Sequence, residues 1–160
     1  MTTIACSLKH KSMACDSRIT GDVIYHAEKV KRVGQSLYGV AGDWEVCVAF
    51  FEWLDTDRKE KPALPEGAFE AIELTKTGIY QYLRNCVRIP IQDKFYACGS
   101  GAQGAMVAMY LQLEPKAAIA MLVSNYQGRE LEAKAALDYL GYEPSIFKTL
   151  PEGFSRVSTH

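Results

Sequence analysis

Near the start of the chain, apolar and polar positions fall in short blocks that fit strands rather than helices. Thr2 to Leu8 and Ser12 to Ile19 predict two strands, joined by the turn Lys9-His10-Lys11. Val23 to His26 reads as a short extended segment. Lys29-Val30-Lys31-Arg32-Val33 mixes charge with valine and fits a half-buried strand. Ser36 to Ala41 predicts a further strand, stopping at Gly42-Asp43. There the period changes. Trp44, Cys47, Val48, Phe51 and Leu54 recur at helical spacing behind Asp43, a natural N-cap. Phe50 and Trp53 lie off that stripe, on a face expected to meet water, which suggests a contact with a neighbouring subunit or, alternatively, cover by another helix of the same subunit.

The charged run Asp55 to Lys61 and the loop Pro62-Ala63-Leu64-Pro65 end this helix. Phe69, Ile72, Ile79 and Leu83 share one helical face, which predicts a second helix from Glu66 to Arg84. Gly78 leaves an alternative open, a hairpin turning at Lys76-Thr77-Gly78. Cys86 to Ile91 and Lys94 to Ala97 read as strands, the latter running into Cys98-Gly99-Ser100-Gly101. Ala102, Ala105, Met106, Met109 and Leu113 then fall on one helical face, and Pro115 opens another helix at N1 reaching about Val123. Arg129 to Leu140 predicts a last helix ended by Gly141, and the remainder, with Pro144, Pro151 and Gly153, reads as irregular. This order predicts an α+β fold in which two antiparallel sheets pack together with helices outside, a four-layer α/β/β/α sandwich.

At 160 residues the chain suits a single domain, 1–160, able to bury a proper core. Its 48% hydrophobic and 23% charged residues exclude a disordered chain. A net charge of −1 gives no footprint for nucleic acid, and the basic stretch Lys29 to Arg32 is too short for a binding stripe. The longest apolar runs, Ala105 to Leu111 and Ala117 to Val123, fall far short of the roughly 20 residues of a membrane span, and no signal peptide is evident. Cys6, Cys15, Cys47, Cys86 and Cys98 form no CxxC pair, so neither a zinc site nor a disulfide framework is expected, and a reducing cytoplasm fits them. His10, His26 and His160 are too scattered for a metal cluster. No metal and no cofactor is assigned.

The chemistry that stands out is at the start, Met1-Thr2-Thr3-Ile4-Ala5. Removal of Met1 would place a free α-amine beside the hydroxyl of Thr2. Threonine is a poor nucleophile alone, but an N-terminal amine can act as its general base. With an ordinary pKa of about 7.7–8.0, a useful share of that amine is neutral near physiological pH.

Five segments in order resemble the proteasome-like N-terminal nucleophile hydrolases, in particular the HslV-type bacterial peptidase and its small phage and prophage relatives. Thr2-Thr3-Ile4-Ala5 resembles the mature N-terminus of that family, and Ala14-Cys15-Asp16 its second-strand motif ending in aspartate. Glu28-Lys29-Val30-Lys31-Arg32-Val33 resembles its lysine strand. Gly39-Val40-Ala41-Gly42 is similar to its glycine turn, and Cys98-Gly99-Ser100-Gly101 to its Gly-Ser-Gly turn. The matches span about residues 2–123, and 129–160 has no clear counterpart.

The resemblance implies a threonine peptidase. Thr2 would be the nucleophile and Lys29 would place a cation beside it. Asp16 would orient that lysine, Ser100 would hydrogen-bond the Thr2 amine, and the Gly42 N–H would face the oxyanion. An extended polypeptide substrate would pair with strand edges near Arg18 to Thr20 and Gly42 to Trp44. A homo-oligomeric ring is implied, as is an ATP-dependent unfoldase partner. Where the family carries Asp followed shortly by Ser-Gly or Thr-Gly, this chain reads Ser124-Asn125-Tyr126-Gln127-Gly128. That departure bears on the support of the Thr2 amine and keeps open an inactive proteasome-like protein with an assembly or binding role; a further alternative is an amidase acting on a small molecule with the same nucleophile.

Overall fold

Residues alternate sides along a strand, and here both sides are buried. In β1 (Thr3–Ser7) Ile4 and Cys6 point into one apolar cluster while Ala5 points into another. β2 (Ser12–Cys15) repeats the arrangement, with Met13 and Cys15 on the first side and Ala14 on the second. A strand buried on both faces needs a layer above and a layer below. The computed structural model, which describes residues 2–19, 25–126 and 148–149, supplies both.

The remaining strands are β3 (Arg18–Ile19), β4 (Tyr25–His26), β5 (Val30–Val33), β6 (Ser36–Gly42), β7 (Phe69–Leu74), β8 (Ile79–Tyr82), β9 (Arg88–Ile91), β10 (Phe95–Gly99) and β11 (Lys148–Thr149). They form a four-stranded sheet in the order β10-β1-β2-β11, a five-stranded sheet in the order β5-β6-β7-β8-β9, and a small β3-β4 pair. All the pairings are antiparallel.

The inner faces of the two large sheets meet through Ile4, Met13, Leu37, Ile72, Leu74 and Ile79. The outer face of the first sheet is covered by α2 (Ala102–Tyr110) and α3 (Pro115–Tyr126). Contact there runs through alanines, Ala5, Ala14 and Ala97 against Ala105, Ala108 and Ala118, which lets helix and sheet approach closely. The outer face of the second sheet is covered by α1 (Trp44–Leu54), against Tyr38, Val40, Ala71 and Tyr82. This is the α/β/β/α sandwich expected. Among the described residues no helix is long and apolar enough to cross a membrane.

Several local expectations are corrected. The helix predicted for Glu66 to Arg84 is instead the hairpin β7–β8, the alternative that Gly78 suggested. Thr75 ties its turn: the hydroxyl accepts from the N–H groups of Thr77 and Gly78, and its own N–H donates to the Gly78 carbonyl. The helical spacing misled because Ala71 to Leu74 are all buried, so period-two alternation is hidden.

The core face of α1 is also rotated from the expected stripe, and its buried residues are Val46, Cys47, Phe50 and Leu54. Phe50 is covered not by a neighbour and not by another helix but by strands of its own chain, fully buried 5.0 Å from Phe69 and 5.4 Å from Tyr82 between ring centroids. Trp53 is half-buried and donates its indole N–H to the Glu60 carbonyl at 2.8 Å. Asp43 does precede α1, but its carboxylate accepts from the Ala68 N–H at 2.8 Å rather than capping the helix.

The predicted second strand breaks at Asp16 and Ser17 and restarts as β3. Within the segment read as irregular, Lys148–Thr149 pair with Met13 and Ser12 along β2. The helix predicted for Arg129 to Leu140 lies outside the described residues.

Candidate active site

Thr2 stands at the mouth of β1, the strand held between β10 and β2. Its carbonyl accepts two hydrogen bonds from Ser100, one from the N–H at 2.9 Å and one from the hydroxyl at 3.2 Å. Gly99 makes that approach sterically feasible. With φ +89 it sits in the left-handed region, and a Cβ there would collide with the Thr2 carbonyl oxygen.

Asp16 closes β2 one strand away. Its Oδ1 accepts from the Thr3 N–H at 2.6 Å, and its Oδ2 accepts from Lys29 Nζ at 2.6 Å. Both partners of this ion pair are 2% exposed. A buried pair persists only when its remaining polar atoms are also satisfied. That condition is met at Lys29, whose ammonium also donates to the Arg18 carbonyl at 2.6 Å and to Thr2 Oγ1 at 2.9 Å. Three donors thus meet three acceptors. A hydroxyl oxygen that accepts from an ammonium has its own proton directed elsewhere, and negative charge developing on it is favoured.

Gly42 ends β6 beside this cluster, with φ +126 and no room for a Cβ against the Ala68 carbonyl. Thr2, Ala41 and Gly42 line two cavities in common. One, of about 340 Å³, is lined by Arg18, Ile19, Tyr25, Val40, Trp44 and Cys47 among others. The second, of about 390 Å³, is lined by Ala68, Phe69, Glu70, Gly99 and Ser100.

Among solved structures the chain is similar to eukaryotic HslV from Trypanosoma brucei, with a TM-score of 0.54 and 14% identity over 91% of this chain and 96% of that one. The chain has the HslV fold. It is also similar to BPH of Thiobacillus denitrificans in complex with epoxomicin, with a TM-score of 0.53 and 19% identity over 86% of this chain and 90% of that one. A further structure of Thiobacillus denitrificans BPH gives a TM-score of 0.51 and 19% identity over 76% and 87%. No family model matches the sequence, and no curated protein matches it.

Within this HslV-like fold, the five residues singled out from sequence come from five separate segments and converge on Thr2. Thr2, Asp16 and Lys29 form one hydrogen-bonded cluster, and Ser100 and Gly42 flank it. The bonds that Ser100 makes to Thr2 go to its carbonyl oxygen, whereas the resemblance implied the amine.

Cysteine is a poor rival nucleophile here. Burial pushes the Cys6 and Cys47 thiols up to about 12, and raises Cys15 and Cys98 well above the ordinary range. Sequence reasoning missed Tyr25, Phe69 and Glu70 in the cavity walls. Glu70 pairs with Ala41 across β6 and β7, so reading the hairpin correctly would have put it beside Gly42.

Proposed function

We propose that the chain is a threonine peptidase acting on extended polypeptides, with Thr2 as nucleophile once Met1 is removed. The observation that carries this reading is the 2.9 Å contact from Lys29 to the Thr2 hydroxyl, backed by the buried Asp16 carboxylate. Three residues far apart in sequence make one polar cluster at the mouth of β1, with two cavities beside it.

In this reading the freed Thr2 amine takes the proton from Oγ1 as Oγ1 attacks the scissile carbonyl carbon. The carbonyl oxygen becomes the oxyanion, facing the backbone N–H of Gly42. Such a donor is worth about 3–4 kcal/mol of barrier. The amine passes its proton to the leaving nitrogen, the peptide bond breaks and an ester to Thr2 remains. Water, deprotonated by the same amine, then attacks the ester and restores Thr2. Lys29 stabilises negative charge on Oγ1, and Asp16 positions Lys29.

The substrate lies extended between β3 and the Gly42–Trp44 edge, pairing through its main chain. Assembly into a closed ring of identical subunits, and supply of substrate by an ATP-driven unfoldase, belong to the same proposal.

Intact mass together with turnover tests it. The active protein should have lost one methionine, cleave a fluorogenic peptide, and gain mass stoichiometrically with epoxomicin at Thr2. A chain that has lost Met1 but shows neither turnover nor adduct would favour a proteasome-like protein with an assembly role.

A further inference from the structure

The largest cavity described, about 560 Å³, shares no lining residue with the two beside Thr2. It opens beside the second sheet, where Glu73 of β7 is buried. Glu73 Oε1 accepts from Ser36 Oγ and Tyr38 OH, both at 3.0 Å. Its Oε2 accepts from Tyr82 OH at 2.9 Å and Arg88 Nε at 2.7 Å. Those four donors match the roughly four lone-pair sites of a carboxylate, so Glu73 has nothing left for a ligand.

The cations are not used up in the same way. Arg88 meets Glu73 through Nε, and neither terminal nitrogen takes part in that bond. Its guanidinium is stacked 3.3 Å from the Tyr80 ring centroid, which holds the plane of the fork. Arg58 brings a second guanidinium to the cavity and donates from Nη1 to Tyr38 OH at 3.0 Å. Arg88 alone balances the charge of Glu73. Arg58, joined to the Glu73 carboxylate only through the Tyr38 hydroxyl, is therefore in excess, and the charged residues lining the cavity carry one more positive than negative charge.

The backbone that carries Arg58 is fixed by its own hydrogen bonds. Arg58 has φ +55, the left-handed region that glycine occupies without strain. The loop is held in that shape by Arg58 N–H to Thr56 Oγ1, Thr56 Oγ1 to the Trp53 carbonyl, and Trp53 Nε1 to the Glu60 carbonyl. Trp53, Val33 and Cys86 add apolar surface to the lining.

We propose that this cavity is an anion-binding site for a small ligand bearing a carboxylate or phosphate on an aromatic or aliphatic body. The anion would sit between Arg58 and Arg88, and the body would lie against Trp53. The volume is in the range of small-molecule sites, a few hundred to about 1,000 Å³. The site is independent of the chemistry at Thr2.

The test is a titration of the full chain with benzoate, phenyl phosphate and inorganic phosphate, read from the Trp53 indole N–H by two-dimensional NMR. Trp53→Phe assigns that resonance against Trp44. A saturable shift with benzoate identifies a carboxylate as the preferred anion, and one with phenyl phosphate identifies a phosphate. Tighter binding of phenyl phosphate than of inorganic phosphate supports the apolar surface. Arg58→Gln, a change at an exposed loop residue, should weaken binding roughly tenfold, the worth of one charge-assisted contact. Arg88→Lys should also weaken it, since the planar fork is lost, while Lys94→Ala should not. No saturable shift with any of the three probes, or unchanged affinity in folded Arg58→Gln, overturns the site.

Discussion

The ammonium of Lys29 lies 2.9 Å from the hydroxyl oxygen of Thr2, although 27 residues separate them in sequence. The same ammonium is locked against Asp16 with 2% of each side chain exposed. In the proposed mechanism, truncating Lys29 therefore has two separable effects, one on chemistry and one on stability. Lys29→Ala should abolish peptide turnover and cost about 3–5 kcal/mol of stability, because the Asp16 carboxylate stays buried without its cation. Lys29→Arg keeps the charge but cannot place a compact ammonium among three acceptors, so turnover should stay low. Peptide turnover read beside urea unfolding separates the two effects. Full activity in Lys29→Arg would reduce the lysine to a generic positive charge.

Thr2→Ala should leave the fold intact and remove hydrolysis altogether. The side chain of Thr2 precedes β1 and is only half-buried, so its loss opens no core cavity. The Thr2 carbonyl, which Ser100 holds, is kept in the variant. Circular dichroism and a thermal midpoint close to the parent, with turnover at background, are expected. Turnover equal to the parent would exclude Thr2 as nucleophile.

Glu73 sets a pH dependence of stability. Burial alone would raise its pKa, but the hydrogen bonds from Arg88 and Tyr82, with the charge of Arg88, outweigh this and bring it below the ordinary 4.5. A carboxyl whose pKa is lower folded than unfolded stabilises the fold above the unfolded value. That contribution is lost as pH falls through 4.5 toward the folded value. Glu73→Gln should lower stability at neutral pH by about 1–3 kcal/mol and flatten the acid limb. Urea midpoints at pH 7 and at about pH 3.5 measure both, and an acid limb as steep as the parent's would contradict the assignment.

The proposed ring assembly would need a surface other than the one the sequence pointed to. Phe50 is buried within its own chain and the Trp53 indole is tied to Glu60, so neither argues for a neighbour. On the described surface, the exposed large apolar side chains Val107, Tyr110 and Leu111 gather at the end of α2. Light scattering at micromolar concentration should give a multiple of 17.8 kDa, and Tyr110→Asp with Leu111→Asp should reduce that mass without unfolding the chain. A parent mass of one chain would rule out the ring.

Local pattern carried this protein far. Short alternating segments, a glycine turn before a helix, and Pro115 at the start of α3 are each decided by neighbouring residues, through backbone sterics and side-chain period. The order of the motifs around Thr2, Asp16, Lys29, Gly42 and Ser100 was legible only through their resemblance to the proteasome-like N-terminal nucleophile hydrolases, and each lies at or next to the end of a strand. Tertiary structure decided what depends on a second layer. Ala71 to Leu74 show no alternation because sheet and helix bury both sides, and the pairing of β7 with β6 and β8 decided for the hairpin that Gly78 left open. The face that α1 turns inward was chosen by Phe69 and Tyr82, contributed by strands that follow the helix. Glu73 looks like any strand carboxylate until Ser36, Tyr38, Tyr82 and Arg88 close on it. Burial and hydrogen-bond satisfaction are properties of elements packed together, and one-dimensional spacing does not contain them.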